Sequence, residues 1–335
     1  MTEASSPAAT TTPTPTVALR QRRRVWSWLR VVFAAVTFAL ALRIVAFEAY
    51  RIPSTSMEDT LLIGDFVLVS KVHYGARVLG ARLPGLSAPA RGDVIVFNYP
   101  PSPEAEIARR LPYIKRVVGL PGDTLTIRDK QVQIGATALG GPVSGRSLWE
   151  VRGRLPLRET LDSLGISRRV QQIGQGAWAV SSTTLQAAAL ARVPGVESVD
   201  PYVRPGGDGS ASFPLAQRYS LDNYGPVVVP RRGLEVALTD DTWPVVRPVI
   251  ERFEGRTAER TAGAFLIDGQ PAESYTFGQD YFFVLGDSRD DSADSRTWGF
   301  VPFDHVIGKA VVVYFSWDAA SSSARWERTG KTVSP

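Results

Sequence analysis

Tyr113–Asp123 reads YIKRVVGLPGD, and the fold is read outward from it. Tyr113–Gly119 is rich in β-formers and is closed by the turn signal Pro121-Gly122-Asp123. Alternation along a strand sends Lys115 to one face and Ile114 and Arg116 to the other. A lysine facing a core is costly unless it is neutral or partnered, and desolvation can lower its pKa to about 5–6. A neutral lysine is a general base, and a nearby serine hydroxyl is a natural nucleophile for it. Spacing alone leaves a second reading open, an exposed lysine on an edge strand.

Strand signals continue on both sides. Thr124–Ile134, TLTIRDKQVQI, alternates around a polar centre and predicts a hairpin. Upstream, GDVIVFNY at Gly92–Tyr99 is a turn followed by a strand, and LLIGDFVLVSKV at Leu61–Val72 is a β-rich run with Gly64-Asp65 as a turn. Strands return from Ala264 as AFLIDG, YFFVLGD and AVVVYFSW. Residues 135–262 differ, because Gly, Arg and small residues increase and the β signal thins. Within them Thr183–Arg192 has a helical composition between strand-like Ala177–Val180 and Val196–Val199, a small βαβ-like unit. Val227–Pro230 and Leu234–Leu238 look like strands, and Pro244–Glu254 like a short helix. One mainly β domain, 51–134 with 263–317, interrupted by a smaller α+β lobe at 135–262, is the expected architecture. Residues 318–335 read as a polar tail.

The N-terminus has a different character. Residues 1–18 are mostly Thr, Pro, Ala and Ser, too poor in large apolar groups to offset chain entropy, so 1–24 is expected to be a disordered basic tail. Arg20, Arg22, Arg23 and Arg24 close it. Val31–Phe47, VVFAAVTFALALRIVAF, is apolar except for Thr37 and Arg43. As a helix it spans roughly 25 Å, the short end of what crosses a bilayer. Trp26, Trp28 and Tyr50 flank it as interface aromatics would, and Arg43 lies where its side chain can snorkel. A single transmembrane helix at 25–50, with the arginines cytoplasmic and the rest extracytoplasmic, is the expectation. A cleaved signal peptide fits less well, since Ala39-Leu40-Ala41 lies inside the apolar run.

Composition excludes several chemistries. The 335 residues contain no cysteine, which removes disulfides, thiolate metal sites and cysteine nucleophiles, and only two histidines, His73 and His305, which removes a three-histidine zinc site. The net charge of +5 is largely the arginine cluster, so nucleic acid is not an expected partner. There is no GxSxG elbow, and the aspartates of 287–294 lack an EF-hand's glycine and terminal glutamate.

Three segments remain: IPSTSMEDTL at Ile52–Leu61, the Lys115 strand, and GDSRDDSADSRTWG at Gly286–Gly299. In this order after an apolar N-terminal run, they resemble bacterial type I signal peptidase, the membrane-bound Ser/Lys protease family. Its nucleophile pattern, close to PSxSMxPTLxxGD, is met by Pro53–Leu61 and Gly64-Asp65, and the lysine segment matches without a change. RGDVIVF at Arg91–Phe97 and VIGKA around Lys309 also match, as does Asp222–Pro226. Gly286–Pro302 resembles GDNRDNSxDSRxWGxVP, with Ser288 and Asp291 in place of asparagine. The matches cover 52–134 and 264–316 well and 140–262 sparsely.

The resemblance implies a coiled antiparallel β-sheet core and an endopeptidase that removes signal peptides from exported preproteins, cutting after small residues. It implies Ser56 as nucleophile and Lys115 as general base. The Ser54 hydroxyl and the Ser56 N–H would form the oxyanion hole, and Ser292 would orient the lysine. Asp287, Arg289, Asp294 and Arg296 would be an ionic frame. Ile52 and Met57, with Val94, are expected to line shallow substrate pockets. No cofactor or metal is implied; the expected partners are signal peptides, membrane lipid and, by proximity, the export machinery. The chain departs from the pattern at Asp59, where the family usually has proline. Glu58 and Asp59 place two carboxylates beside Ser56, suited to capping the next turn or to meeting the basic region of a substrate. Two rivals are a self-cleaving repressor, which needs a DNA-binding helix-turn-helix in place of the apolar run, and an anchored non-enzyme, against which Ser54, Ser56, Lys115 and Ser292 together argue.

Overall fold

The structure, a computed structural model, describes residues 15–335 except 79–80, 142–144, 167–168, 205–211, 216, 218, 262 and 334–335, and leaves out the side chains of 15–25 and 41–44. The expected disordered tail therefore lies outside the described residues for 1–14, as do the side chains of Arg20, Arg22, Arg23, Arg24 and Arg43.

Helix α1 runs for 31 residues, Pro15–Val45, so the backbone of 15–24 is helical and not disordered. Its apolar side chains face away from the protein, with Phe33 74% and Phe38 70% exposed. Among the described residues no helix is long and apolar enough to cross a membrane. The helix also ends earlier than the expected residue 50, at Val45. Phe47–Arg51 is strand β1, because its ladder partners on Phe66–Ser70 satisfy the backbone that a longer helix would have used internally.

The body is built on an eight-stranded antiparallel sheet. It contains β1, β2 (Asp65–Ser70), β3 (Val94–Asn98), β4 (Pro112–Gly119), β5 (Tyr281–Leu285), β6 (Val301–Pro302) and β7 (Val306–Asp318), in the order β1-β2-β7-β3-β4-β5-β6. The eighth strand, β8 (Ser323–Ala324), pairs only with β7. β7 is 13 residues long and slips register against both β2 and β3, the irregularities that let a wide sheet coil. β3 is buried throughout, which explains its apolar run Val94–Phe97, and β4 is buried from Ile114 onward with Lys115 and Arg116 enclosed in it. A second sheet holds the hairpin Thr124–Arg128 with Gln131–Ile134, turning through Asp129 and Lys130 at φ +47° and +69°. Two successive positive φ values match the strand twist of a tight hairpin.

Only part of the inserted stretch forms a separate lobe. Residues 146–201 fold as β-α-β-β-α-β: Arg146–Gly153, α2 (Leu157–Ser163), Val170–Gly174, Ala177–Thr183, α3 (Thr184–Leu190) and Val196–Pro201. The four strands are antiparallel, with the first and third in the middle, a split βαβ arrangement. Its own core gathers Val151, Leu161, Ile166, Val180 and Leu190. α3 begins in a capping box between Thr183 and Gln186. By contrast, Phe213, Tyr224 and Val246 pack with Leu125, Phe283 and Phe300 of the main body. The expected lobe is thus narrower than 135–262, since the later residues put their apolar groups into the larger core.

The polar tail is also structured. Arg328, 8% exposed, donates from Nε to Asp65 Oδ1 at 2.9 Å and from Nη2 to Oδ2 at 2.5 Å, and Val333 is buried. Burial alone pushes the Asp65 carboxyl up, but hydrogen bonds from Arg328 and Ser316 and the Leu62 N–H hold it below the ordinary range. Removing one partner of a buried ion pair leaves the other charge desolvated, at a cost of about 3–5 kcal/mol. Arg328→Ala should lower stability by about that much at neutral pH, read by urea unfolding. The loss should shrink as the pH falls through the folded-state titration of Asp65, below the usual carboxylate range, because a protonated Asp65 needs no partner.

Candidate active site

The turn after β1 carries Ser56, and β4 carries Lys115. Ile52 N–H donates to Asp65 O at 2.8 Å and Leu61 N–H to Met57 O at 2.7 Å, which folds 52–65 into a compact turn over the sheet. Ser56 is 7% exposed and Lys115 3%. Lys115 Nζ donates to Ser56 Oγ at 2.7 Å and to Ile114 O at 2.9 Å. Burial is the main influence on the amine. It lowers the lysine pKa from 10.5 to about 8, with Asp294 and Asp287 pulling in the opposite direction. Alternation does what the sequence predicts: Lys115 and Arg116 leave β4 in opposite directions, both buried.

Ser54 is exposed, with its Oγ 3.4 Å from Ser56 Oγ. Ser292 does not reach the lysine by a hydrogen bond. Its Oγ is buried, packs against Gly286 and adds to the influences that hold the Asp294 carboxyl low. Gly286 has no room for a side chain: a Cβ there would come within 2.2 Å of Ser292 Oγ and 2.6 Å of Ser56 O. The next step of this loop is fixed to the Ser56 turn, since Ser288 N–H donates to Ser56 O at 3.0 Å.

The four residues of the expected ionic frame divide. Asp294 pairs with Arg296, Oδ1 to Nε at 2.9 Å and Oδ2 to Nη2 at 2.9 Å. Burial raises the Asp294 pKa, but the Arg296 charge and hydrogen bonds outweigh it and hold the carboxyl low. Asp287 turns instead to Arg116, at 2.8 Å to Nε and 2.7 Å to Nη2, and accepts from Thr60 Oγ1 at 2.7 Å. Arg289 has no carboxylate ion-pair partner among the described residues, and its Nε is buried without a hydrogen bond. Its guanidinium pKa is lowered by burial and by the Arg296 charge. Arg116 escaped the sequence reading although it stands beside Lys115; a second cation in an apolar strand was a signal for an acidic partner.

Ile52 and Met57, expected in a substrate pocket, are 2% and 0% exposed and share a core cluster with Leu61, Val94 and Ile114. They make the floor under the Ser56–Lys115 pair. A groove of about 890 Å³ is walled by Glu48 and Tyr50 of β1, Asn98, Leu111, Pro112 and Ile307; Ser56 and Lys115 themselves do not line it. Asp59 is committed to Arg146, at 2.8 Å and 3.1 Å, and so is not free to meet a substrate. His73 bonds Ser70 and His305 sits between Arg110 and Asp304, away from the pair. Among the described residues no group of acidic and histidine side chains could hold a metal ion.

A buried serine hydrogen-bonded to a buried lysine is equipment suited to a hydrolase with a serine nucleophile. The family model described as signal peptidase, peptidase S26, matches residues 25–182 and 244–317, and the chain belongs to that family. It is 27% identical over 290 residues to signal peptidase I of Aquifex aeolicus (strain VF5), covering 85% of this chain and 82% of that protein. To signal peptidase I of Pseudomonas aeruginosa it is 27% identical over 298 residues, 85% of this chain and 70% of that one. Removal of signal peptides by a serine peptidase is accordingly this chain's activity.

Burying the lysine has a cost to the fold. Below about pH 8 the amine is charged in both states and the folded state bears the full desolvation penalty, on the order of 3 kcal/mol for this shift. The penalty fades as pH rises from about 8 toward 10.5, where the amine is neutral in both states. Lys115→Met should therefore raise the melting temperature at pH 7 while removing activity, with a smaller gain at pH 10. A variant less stable than the parent at pH 7 would contradict this.

Proposed function

We propose that Ser56 and Lys115 are the catalytic pair with which this peptidase, anchored in a membrane by its N-terminal helix, cuts signal peptides from exported preproteins after small residues. The observation that carries the proposal is the 2.7 Å contact between Lys115 Nζ and Ser56 Oγ, on a lysine that burial moves toward neutrality. The neutral amine takes the Ser56 proton as Oγ attacks the scissile carbonyl carbon. The oxyanion that forms accepts from Ser54 Oγ–H and Ser56 N–H; the latter donates to no other group among the described residues. Donors of this kind contribute about 3–4 kcal/mol each where they have been removed from other proteases. The Lys115 ammonium then gives its proton to the leaving amine. A water activated by the same amine releases the acyl group from Ser56.

Anchoring is supported by two features. The apolar side chains of α1 from Trp26 to Leu40 are exposed, and nothing else among the described residues covers them. Beside the nucleophile turn, Ile63, Tyr314, Trp317 and Trp326 form an exposed, largely aromatic edge, with Trp326 72% exposed. Aromatic side chains with polar handles suit a membrane–water boundary. The arginines at 20–24 orient the chain with residues beyond α1 outside the cytoplasm.

Ser56→Ala and Lys115→Ala should each abolish cleavage of a preprotein, and the double variant should be no worse than either, since the two act as a unit. Losses that multiply would break the assignment of Lys115 as the base of Ser56. kcat/KM on a short peptide should rise with pH through one ionisation near 8, and Lys115→Arg should be inactive because guanidinium stays protonated. A flat profile between about pH 6 and 9 would sink the assignment. For topology, protease added to right-side-out spheroplasts should digest the bulk of the chain; full protection there would reverse the orientation.

A further inference from the structure

Three residues past Ser56, Asp59 sits in left-handed backbone at φ +75°. Proline, fixed near −65°, could not adopt this conformation, and aspartate does so only with compensation. The compensation comes from the inserted lobe. Arg146, 4% exposed at the start of strand Arg146–Gly153, grips the Asp59 carboxylate with two nitrogens, Nε to Oδ2 at 2.8 Å and Nη2 to Oδ1 at 3.1 Å. Its Nη1 donates to Ser181 O of the neighbouring lobe strand at 2.9 Å, which fixes the guanidinium from behind. The backbone of Arg146 is equally occupied: its N–H donates to Asp287 O at 2.8 Å and its carbonyl accepts from Arg289 N–H at 2.9 Å. That loop in turn holds Ser56 O through Ser288 N–H. On the other side of the nucleophile, Thr55 Oγ1 donates to Asp291, which also pairs with Arg169, a second arginine of the lobe.

The lobe therefore reaches the nucleophile turn directly three residues after Ser56 and, through Asp291, at the residue before it. We infer that the inserted lobe positions the nucleophile, with Arg146 as the positioning residue that holds the turn of Ser56 in register with Lys115 by clamping Asp59. This rests on the assignment of Ser56 and Lys115 above. It also accounts for the departure at Asp59: an acid there pairs with an arginine that the lobe alone supplies. A bidentate arginine–carboxylate pair fixes both distance and plane, which a single contact cannot do.

The test uses the full chain in detergent with a peptide substrate, and rates are normalised to active sites titrated with a serine-acylating reagent. Asp59→Asn keeps a residue tolerant of left-handed backbone and removes the charge. Arg146→Lys keeps the charge and removes the fork. Each should lower kcat by about tenfold or more with KM within about twofold, as small displacements of reacting groups do. The Asp59→Asn/Arg146→Lys double variant should be no slower than the slower single variant. Should Arg146→Lys fail to fold, Asp59→Asn and Asp59→Gly carry the test, since both leave the lobe's own Arg146–Ser181 contact in place. Single variants with kcat within about twofold of the parent, or losses that multiply in the double variant, would overturn the inference. So would a loss accounted for entirely by a lower active-site titre, which is what a purely structural role gives. A Ser56→Ala chain that still cleaves would instead refute the catalytic pair, and that result is read independently of Arg146.

Discussion

Lys115 Nζ lies 2.7 Å from Ser56 Oγ in a setting where only 3% of the lysine meets solvent, and it can serve as a base only when neutral. Water exclusion favours that state, but two buried carboxylates nearby, Asp294 and Asp287, oppose it. Each is held by its own arginine, Asp294 by Arg296 and Asp287 by Arg116. The two guanidinium groups do more than hold loops together. They neutralise charges that would otherwise keep the amine protonated, so the acid–arginine pairs and the serine–lysine pair are parts of one electrostatic arrangement.

The same arrangement fixes the backbone. β4 sends Lys115 to the nucleophile turn and Arg116 to the loop at Asp287, so one strand positions both. Gly286 lets that loop pass within contact distance of Ser292 and the Ser56 carbonyl, where any side chain would force them apart. Thr60, from the end of the nucleophile turn, completes the connection by donating to Asp287. Ile52 and Met57, on either side of Ser56 in sequence, are enclosed because they pack into the core cluster with Leu61, Val94 and Ile114.

Elements distant in sequence close the turn from outside. The lobe at 146–201 has a core of its own, yet its first strand is stitched to 287–289 and to Asp59. The C-terminal segment returns along β7 and sets Arg328 on Asp65, at the far end of the same turn. The nucleophile turn is short and rich in polar residues, with little apolar area of its own to hold it. Its conformation comes from partners supplied by the sheet, the loop, the lobe and the tail.

The sequence by itself determined the β character of the body, the hairpin at 124–134, the helices at 184–190 and 243–253, and the segments that carry Ser56, Lys115 and Asp287–Arg296. These are local properties: period-two alternation, turn residues and motif spacing are written in neighbouring positions. Only the tertiary structure decided which aspartate meets which arginine, that Asp59 belongs to Arg146, and that Ser292 packs on Gly286 without bonding Lys115. It also decided that 318–333 wraps back as part of the body and that the lobe is confined to 146–201. Strand Arg146–Gly153 was not legible because Ser147 and Leu148 put a polar and an apolar residue on the wrong faces of a short alternation, and Arg146 is polar for the sake of a partner 87 positions away. Salt bridges between remote segments leave no period in the sequence, since their pairing is set by how the sheet and lobe bring those segments together.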